Sequence, residues 1–112
     1  MKIEKYSFRK ISISGRHFTS DVIIFPEKVA SPWWREEGHF LQLGDIEDIL
    51  KYRPEVLVIG TGYYGQMKVA EEVEVKLREL NIEYYIVDTR KATEIYNNIE
   101  KQRKVGAFHL TC

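Results

Sequence analysis

The chain has 112 residues, the length of one domain, and a chain of this size can bury a hydrophobic core without disulfide or metal staples. Seventeen Lys and Arg balance seventeen Asp and Glu, and a formal net charge of zero excludes the electrostatic surplus that drives non-specific nucleic-acid binding. The single cysteine, Cys112, excludes an internal disulfide and a Cys-based zinc site.

The N-terminus alternates apolar and charged residues from Met1 to Tyr6. That pattern lacks the continuous apolar stretch of a signal peptide, and no later run reaches the length of a membrane span. A cytoplasmic chain with neither a nucleic-acid nor a membrane partner is the expectation. Ile3–Phe8 and Ile11–Ser14 read as strands of period two, and Ser14-Gly15 is a turn signal. Residues 9–25 are therefore predicted to form a hairpin, closed by Pro26. Residues 26–44 are irregular and carry Pro32, Trp33, Trp34 and Arg35. Asp45 is a natural N-cap for a short helix with Ile46, Ile49 and Leu50 on one face, stopped near Pro54.

The second half changes period. Val56-Leu57-Val58-Ile59 is a continuous aliphatic run, suited to a strand covered on both faces. Gly60–Gly65 is a turn, and a helical stripe of Val69, Val73, Leu77 and Leu80 is predicted from about Met67. Glu72–Lys76 and Glu74–Arg78 are spaced as i,i+4 pairs, and Asn81 suits a left-handed C-cap. Tyr84–Val87 is the next strand. Thr89 is placed as the cap of a last helix with Ala92, Ile95, Tyr96 and Ile99 inward, and Val105–Leu110 ends the chain as a strand. The order is a β-rich start followed by β-α-β-α-β. It predicts a single α/β domain over residues 1–112 with a mainly parallel central sheet.

Gly60-Thr61-Gly62-Tyr63-Tyr64-Gly65 matches G-x-G-x-x-G, follows a buried strand, and precedes a helix. Asp88 ends the next strand about where a ribose-binding acid would stand. Such a turn holds a pyrophosphate on backbone amides at a helix N-terminus. It is equally the cheapest way to turn any strand into a helix, and two tyrosines are bulky in a loop meant to hug a phosphate. Gly60, Thr61, Gly62, Gly65, Asp88 and Thr89 are the candidate ligand-binding residues, for a small anion first and a dinucleotide as the alternative.

No other constellation carries chemistry. His17, His39 and His109 lack metal-ligand spacing, no nucleophile–base pair is visible, and no cofactor is indicated. Trp33, Trp34 and Arg35 form a candidate interface: one Trp is expected in the core, and an exposed Trp beside Arg is an interface anchor.

Val56–Gly62 resembles the central "lliGtG" signature of the Mth938-like domain family of small uncharacterised proteins. Asp88-Thr89, Ala92 and Tyr96-Asn97 resemble its "dT..A...yN" stretch, Arg103–Leu110 its closing "R.V.a.l", and Trp33 a Trp after its N-terminal hairpin. The resemblance implies a compact three-layer α/β fold with a mixed central sheet and a β-hairpin layer from the N-terminal strands. It implies no enzymatic activity. Relatives with assigned roles, among them an adipogenesis-associated protein and a mitochondrial complex I assembly factor, act in assembly or regulation. A non-enzymatic interaction module, as a homo-oligomer or with a protein partner, is the leading expectation.

Overall fold

Alternation at the N-terminus builds a three-stranded antiparallel meander: β1 (Ile3–Ser7), β2 (Lys10–Ile13) and β3 (Arg16–Phe18). Ile3, Ile11 and Ile13 point inward, whereas Glu4, Lys5 and Lys10 are exposed. The β2–β3 reversal uses Ser14 and Gly15, both at positive φ (47° and 83°), the backbone that two-residue hairpins of native twist require. The computed structural model describes all 112 residues.

The predicted hairpin of residues 9–25 ends at Phe18. β4 (Val22–Ile24) leaves the meander and enters a different sheet, because all three of its residues are buried. A strand without a wet face must lie between two layers. The central sheet runs β5 (Val29–Ala30), β4, β10 (Lys104–His109), β7 (Val56–Thr61), β9 (Glu83–Val87) in spatial order. β10, β7 and β9 are parallel; β4 runs against β10, and β5 against β4. The sheet is thus mixed, with β7, buried at every residue, flanked by parallel partners.

Alternate residues of β7 serve two cores. Leu57 and Ile59 meet Val73, Leu77, Ile46 and Ile49 of one helical layer, and Val58 meets Ala92, Tyr96 and Phe108 beside the meander. The first layer holds α1 (Glu47–Tyr52), entered through a 3₁₀ turn at Leu43–Ile46, and α2 (Glu71–Glu79). The second holds α3 (Thr89–Asn98) and the meander. This is the three-layer α/β arrangement with a βαβαβ C-terminal half.

Three local expectations change. α2 begins at Glu71, not Met67, because β8 (Lys68–Val69) intervenes and pairs in parallel with β6 (Phe40–Leu41). Met67 is itself buried, and the Lys68 and Ala70 amides donate to His39 and Leu41 carbonyls, so this stretch cannot coil. Asp45 lies inside the 3₁₀ turn, where its carboxylate accepts from the Gln42 and Glu36 amides. Lys76 pairs with Glu79 rather than Glu72. The α2 terminus does follow its sequence: Asn81 is left-handed (φ 57°), the Ile82 amide donates to Leu77 O at 2.9 Å, and the Asn81 amide to Arg78 O at 3.1 Å. Those two bonds make a Schellman closure.

Candidate functional site

The carboxyl ends of β7, β9 and β10 gather every candidate ligand residue named from the glycine pattern. Gly60 is wedged: a Cβ there would come within 2.8 Å of Phe108 Cδ1 and of Thr89 Oγ1. Gly62 has φ +113°, and a Cβ there would strike the backbone of Cys112 and approach Thr111 O to 2.6 Å. The close approach that the second glycine permits is therefore made by the extension of β10. The turn's hydrogen bonds also run inward. Gly62 N–H donates to Thr89 Oγ1 (2.8 Å), Tyr63 N–H to Thr111 O (2.6 Å), Gly65 N–H to Gly62 O (3.1 Å) and Gln66 N–H to Cys112 O (3.0 Å). Thr61 Oγ1 donates to Val87 O (3.1 Å).

Two features of a pyrophosphate cradle are thus differently used. The amides are committed to the chain, and α2 starts six residues after Gly65, too far to place its N-terminus behind the turn. Tyr63 and Tyr64 close the outside of the turn against Phe8, at ring separations of 5.7 and 6.2 Å, with Arg90 over Tyr63.

The cap expected of Thr89 falls to Asp88. Asp88 is the N-cap of α3, its Oδ1 accepting from the Lys91 amide at 3.0 Å. Thr89 is fully buried, its hydroxyl accepting from Gly62 N–H while donating to His109 O at 2.6 Å. One hydroxyl so ties the turn after β7 to β10. Thr89→Val keeps the shape and orphans both partners, so a loss of about 1–3 kcal/mol is expected in urea unfolding. An unchanged midpoint would show the staple to be idle.

One strand over, a charged cluster lies at the same end of the sheet. Asp21 immediately precedes β4 and sits beside His109 at the end of β10. Its Oδ2 is 2.8 Å from Arg35 Nη2 and 2.7 Å from His109 Nδ1, and its Oδ1 accepts from Leu110 N–H at 2.8 Å. Arg35 Nη2 also lies 3.1 Å from Gly38 O and 3.0 Å from His109 Nδ1. The two protons on Nη2 are satisfied by Asp21 and Gly38, so Nδ1 is free to donate to Asp21; this hydrogen-bond count assigns the proton to Nδ1. Burial pushes the Asp21 carboxyl up, but the His109 hydrogen bond, the Leu110 amide, the His109 charge and Arg35 outweigh it and hold the group below its ordinary value.

The candidate interface residues separate. Trp33 is buried, its Nε1–H donating to Asp45 O at 3.0 Å, and the Arg35 guanidinium lies 4.6 Å from the Trp33 ring centroid. Neither is available at a surface: Arg35 is drawn inward by Asp21, and Trp33 is the floor beneath it. Trp34 alone is exposed, at 73%. It borders a cleft of about 350 Å³ between the β4–β5 hairpin and the start of α1, with Ile23, Ala30, Pro32 and Asp48 among its walls.

Residues 3–110 match the family model for proteins of unknown function DUF498/DUF598. The chain belongs to that family. Among solved structures, this DUF498/DUF598 chain is similar to the conserved hypothetical protein PH1505 of Pyrococcus horikoshii OT3, at 26% identity over the whole of both chains and a TM-score of 0.85. It is similar in fold to MT938, at 21% identity, with 99% and 98% of the two chains covered and a TM-score of 0.81. A Mth938-like domain protein of Bordetella pertussis matches at 20% identity over 97% and 85%, with a TM-score of 0.65. The Mth938-like resemblance is thereby shown. No helix of the DUF498/DUF598 chain is long and apolar enough to cross a membrane.

Asp21 and the inward role of Arg35 were missed in the sequence. The available signal was Asp21 itself, a lone acid directly before an all-apolar run that had to become a covered strand. Such an acid needs a buried partner.

Proposed function

We propose that this domain is a protein-interaction module that contacts its partner, or a second copy of itself, through Trp34. The carrying observation is the 73% exposure of a Trp whose two neighbours, Trp33 and Arg35, are locked in the interior. The rigid flanks matter. Trp33 N–H donates to Asp21 O at 2.8 Å, and Arg35 is pinned by Asp21, so Trp34 is presented on a fixed backbone and loses little freedom on binding. Large amphipathic rings are the usual anchors of interfaces.

Trp34→Ala is expected to weaken self- or partner association about thirtyfold, the size of a 2 kcal/mol hot spot, without altering the unfolding midpoint. Native mass measurement and pull-down check the association, and urea unfolding checks the midpoint. If association does not respond to the substitution, the interface has lost its anchor.

A further inference from the structure

Three nitrogens of the Arg35–His109 pair are buried without a hydrogen-bond partner: Arg35 Nε, Arg35 Nη1 and His109 Nε2. The two side chains are 4% and 6% exposed. Buried polar atoms in native proteins are nearly always bonded. The unmet needs here are specific. Arg35 has N–H donors left after Nη2 is used by Asp21 and Gly38. His109, with Nδ1–H held by Asp21, presents at Nε2 a lone pair when neutral and a donor when protonated. A group that completes the two arginine nitrogens must bring acceptor oxygens.

Charge narrows the class. Arg35⁺ and Asp21⁻ cancel, so the cluster is neutral when His109 is neutral. A monoanion set against Arg35 would leave one buried negative charge uncompensated. A proton taken up on His109 Nε2 restores zero and turns that nitrogen into a further donor to the anion. The titratable and charged groups around His109 are Asp21, Arg35 and His39, whose ring centroid is 5.9 Å away. Tyr6 donates its hydroxyl to Leu110 O beside them, and burial pushes its phenol up, so it stays neutral. Glu36, Glu37 and His39 are exposed on the loop that follows Arg35.

We propose that Arg35 and His109 form a binding site for a small oxyanion, a carboxylate or a monobasic phosphate, taken up together with one proton on His109 Nε2. No bond within the ligand breaks; one proton moves from solvent to imidazole. The site stands at the carboxyl end of the sheet, where open α/β folds place ligands, and beside a glycine turn whose own amides are spent. It does not depend on Trp34.

The test uses the full chain labelled with ¹⁵N in its histidine rings and titrated separately with sodium acetate and sodium phosphate at about pH 6 and about pH 8, on either side of the ordinary histidine range. At about pH 8 either anion is expected to move His109 Nε2 from the unprotonated to the protonated signature. Calorimetry in two buffers of different ionisation heat is expected to give uptake of about one proton per ion, and affinity to fall by up to tenfold per pH unit in the alkaline range. The tighter of the two salts identifies the headgroup. His109→Gln, which cannot take up a proton, is expected to lose the pH dependence, and Arg35→Lys to bind at least tenfold more weakly. Ring nitrogens unmoved by both salts at about pH 8 in the wild-type protein would overturn the site, as would a His109→Gln variant that keeps the wild-type pH dependence.

Discussion

Asp21→Ala is expected to destabilise the domain by about 3–5 kcal/mol, the cost of breaking a buried ion pair from one side. The carboxylate satisfies three donors at once, on Arg35, His109 and Leu110. Its removal leaves the Arg35 guanidinium charged and buried, with no remaining ionised partner within bonding distance. A typical domain has only about 5–15 kcal/mol of stability, so urea unfolding should show a large fall in midpoint with an unchanged slope. Removing both charges should cost less than removing one. Asp21→Asn combined with Arg35→Met is therefore expected to be more stable than Asp21→Asn alone, and a double variant as unstable as the sum of its parts would refute the pairing.

The same carboxylate sets an acid limit. Its folded-state titration lies below the ordinary value near 3.9, so the unfolded chain binds the proton more readily than the folded one. The stability it contributes is fully present above about pH 4 and is lost as pH falls through the depressed folded value. Asp21→Asn, which cannot titrate, is expected to flatten the acid limb of the stability curve in that window. An acid limb identical to wild type would mean that Asp21 is not the group responsible.

The elements that could be read from sequence are those whose residues answer to one neighbour at a time. The period-two alternation of Ile11 and Ile13, the aliphatic run at Val56–Ile59 and the left-handed Asn81 are each local statements, and each holds. The start of α2 is not local. Met67–Ala70 carries a helical spacing, yet its Lys68 and Ala70 amides are claimed by His39 and Leu41 from far upstream, and tertiary pairing overrides the period. The site divides in the same way. Gly60, Gly62, Asp88 and Thr89 can be placed together from sequence because they stand at the ends of strands that the sequence makes visible. From sequence Arg35 reads as a surface residue beside two tryptophans, since nothing nearby in the chain shows that Asp21, fourteen positions earlier, would face the end of β10. Burial of a charge is a pairwise fact across the fold, and a single sequence shows only one member of the pair.

Gly62→Ala is expected to be about as damaging as losing Asp21, for a different reason. Its φ of +113° lies where an L-residue is strained, at a cost of roughly 1–2 kcal/mol. Space adds a second penalty, because the new methyl would overlap the backbone of Cys112 and Thr111 rather than the end of a flexible side chain. The extension of β10 would have to withdraw, breaking the Tyr63–Thr111 and Gln66–Cys112 bonds that hold it on the turn. Strain plus two net hydrogen bonds amounts to about 3 kcal/mol. Hydrogen exchange separates these contributions. The Tyr63 and Gln66 amides should lose protection in Gly62→Ala, whereas the Thr89 amide, bonded to the Gly62 carbonyl on the other side of the turn, should change least. Gly65→Ala supplies the control, since a Cβ there meets only Asp88 and Thr61 side chains at 3.5 Å or more. It carries the strain of a positive φ (67°) without the collision, and should cost about 1 kcal/mol. Equal losses at the two glycines would show that the strand extension does not press on Gly62, and that backbone conformation alone explains the pattern.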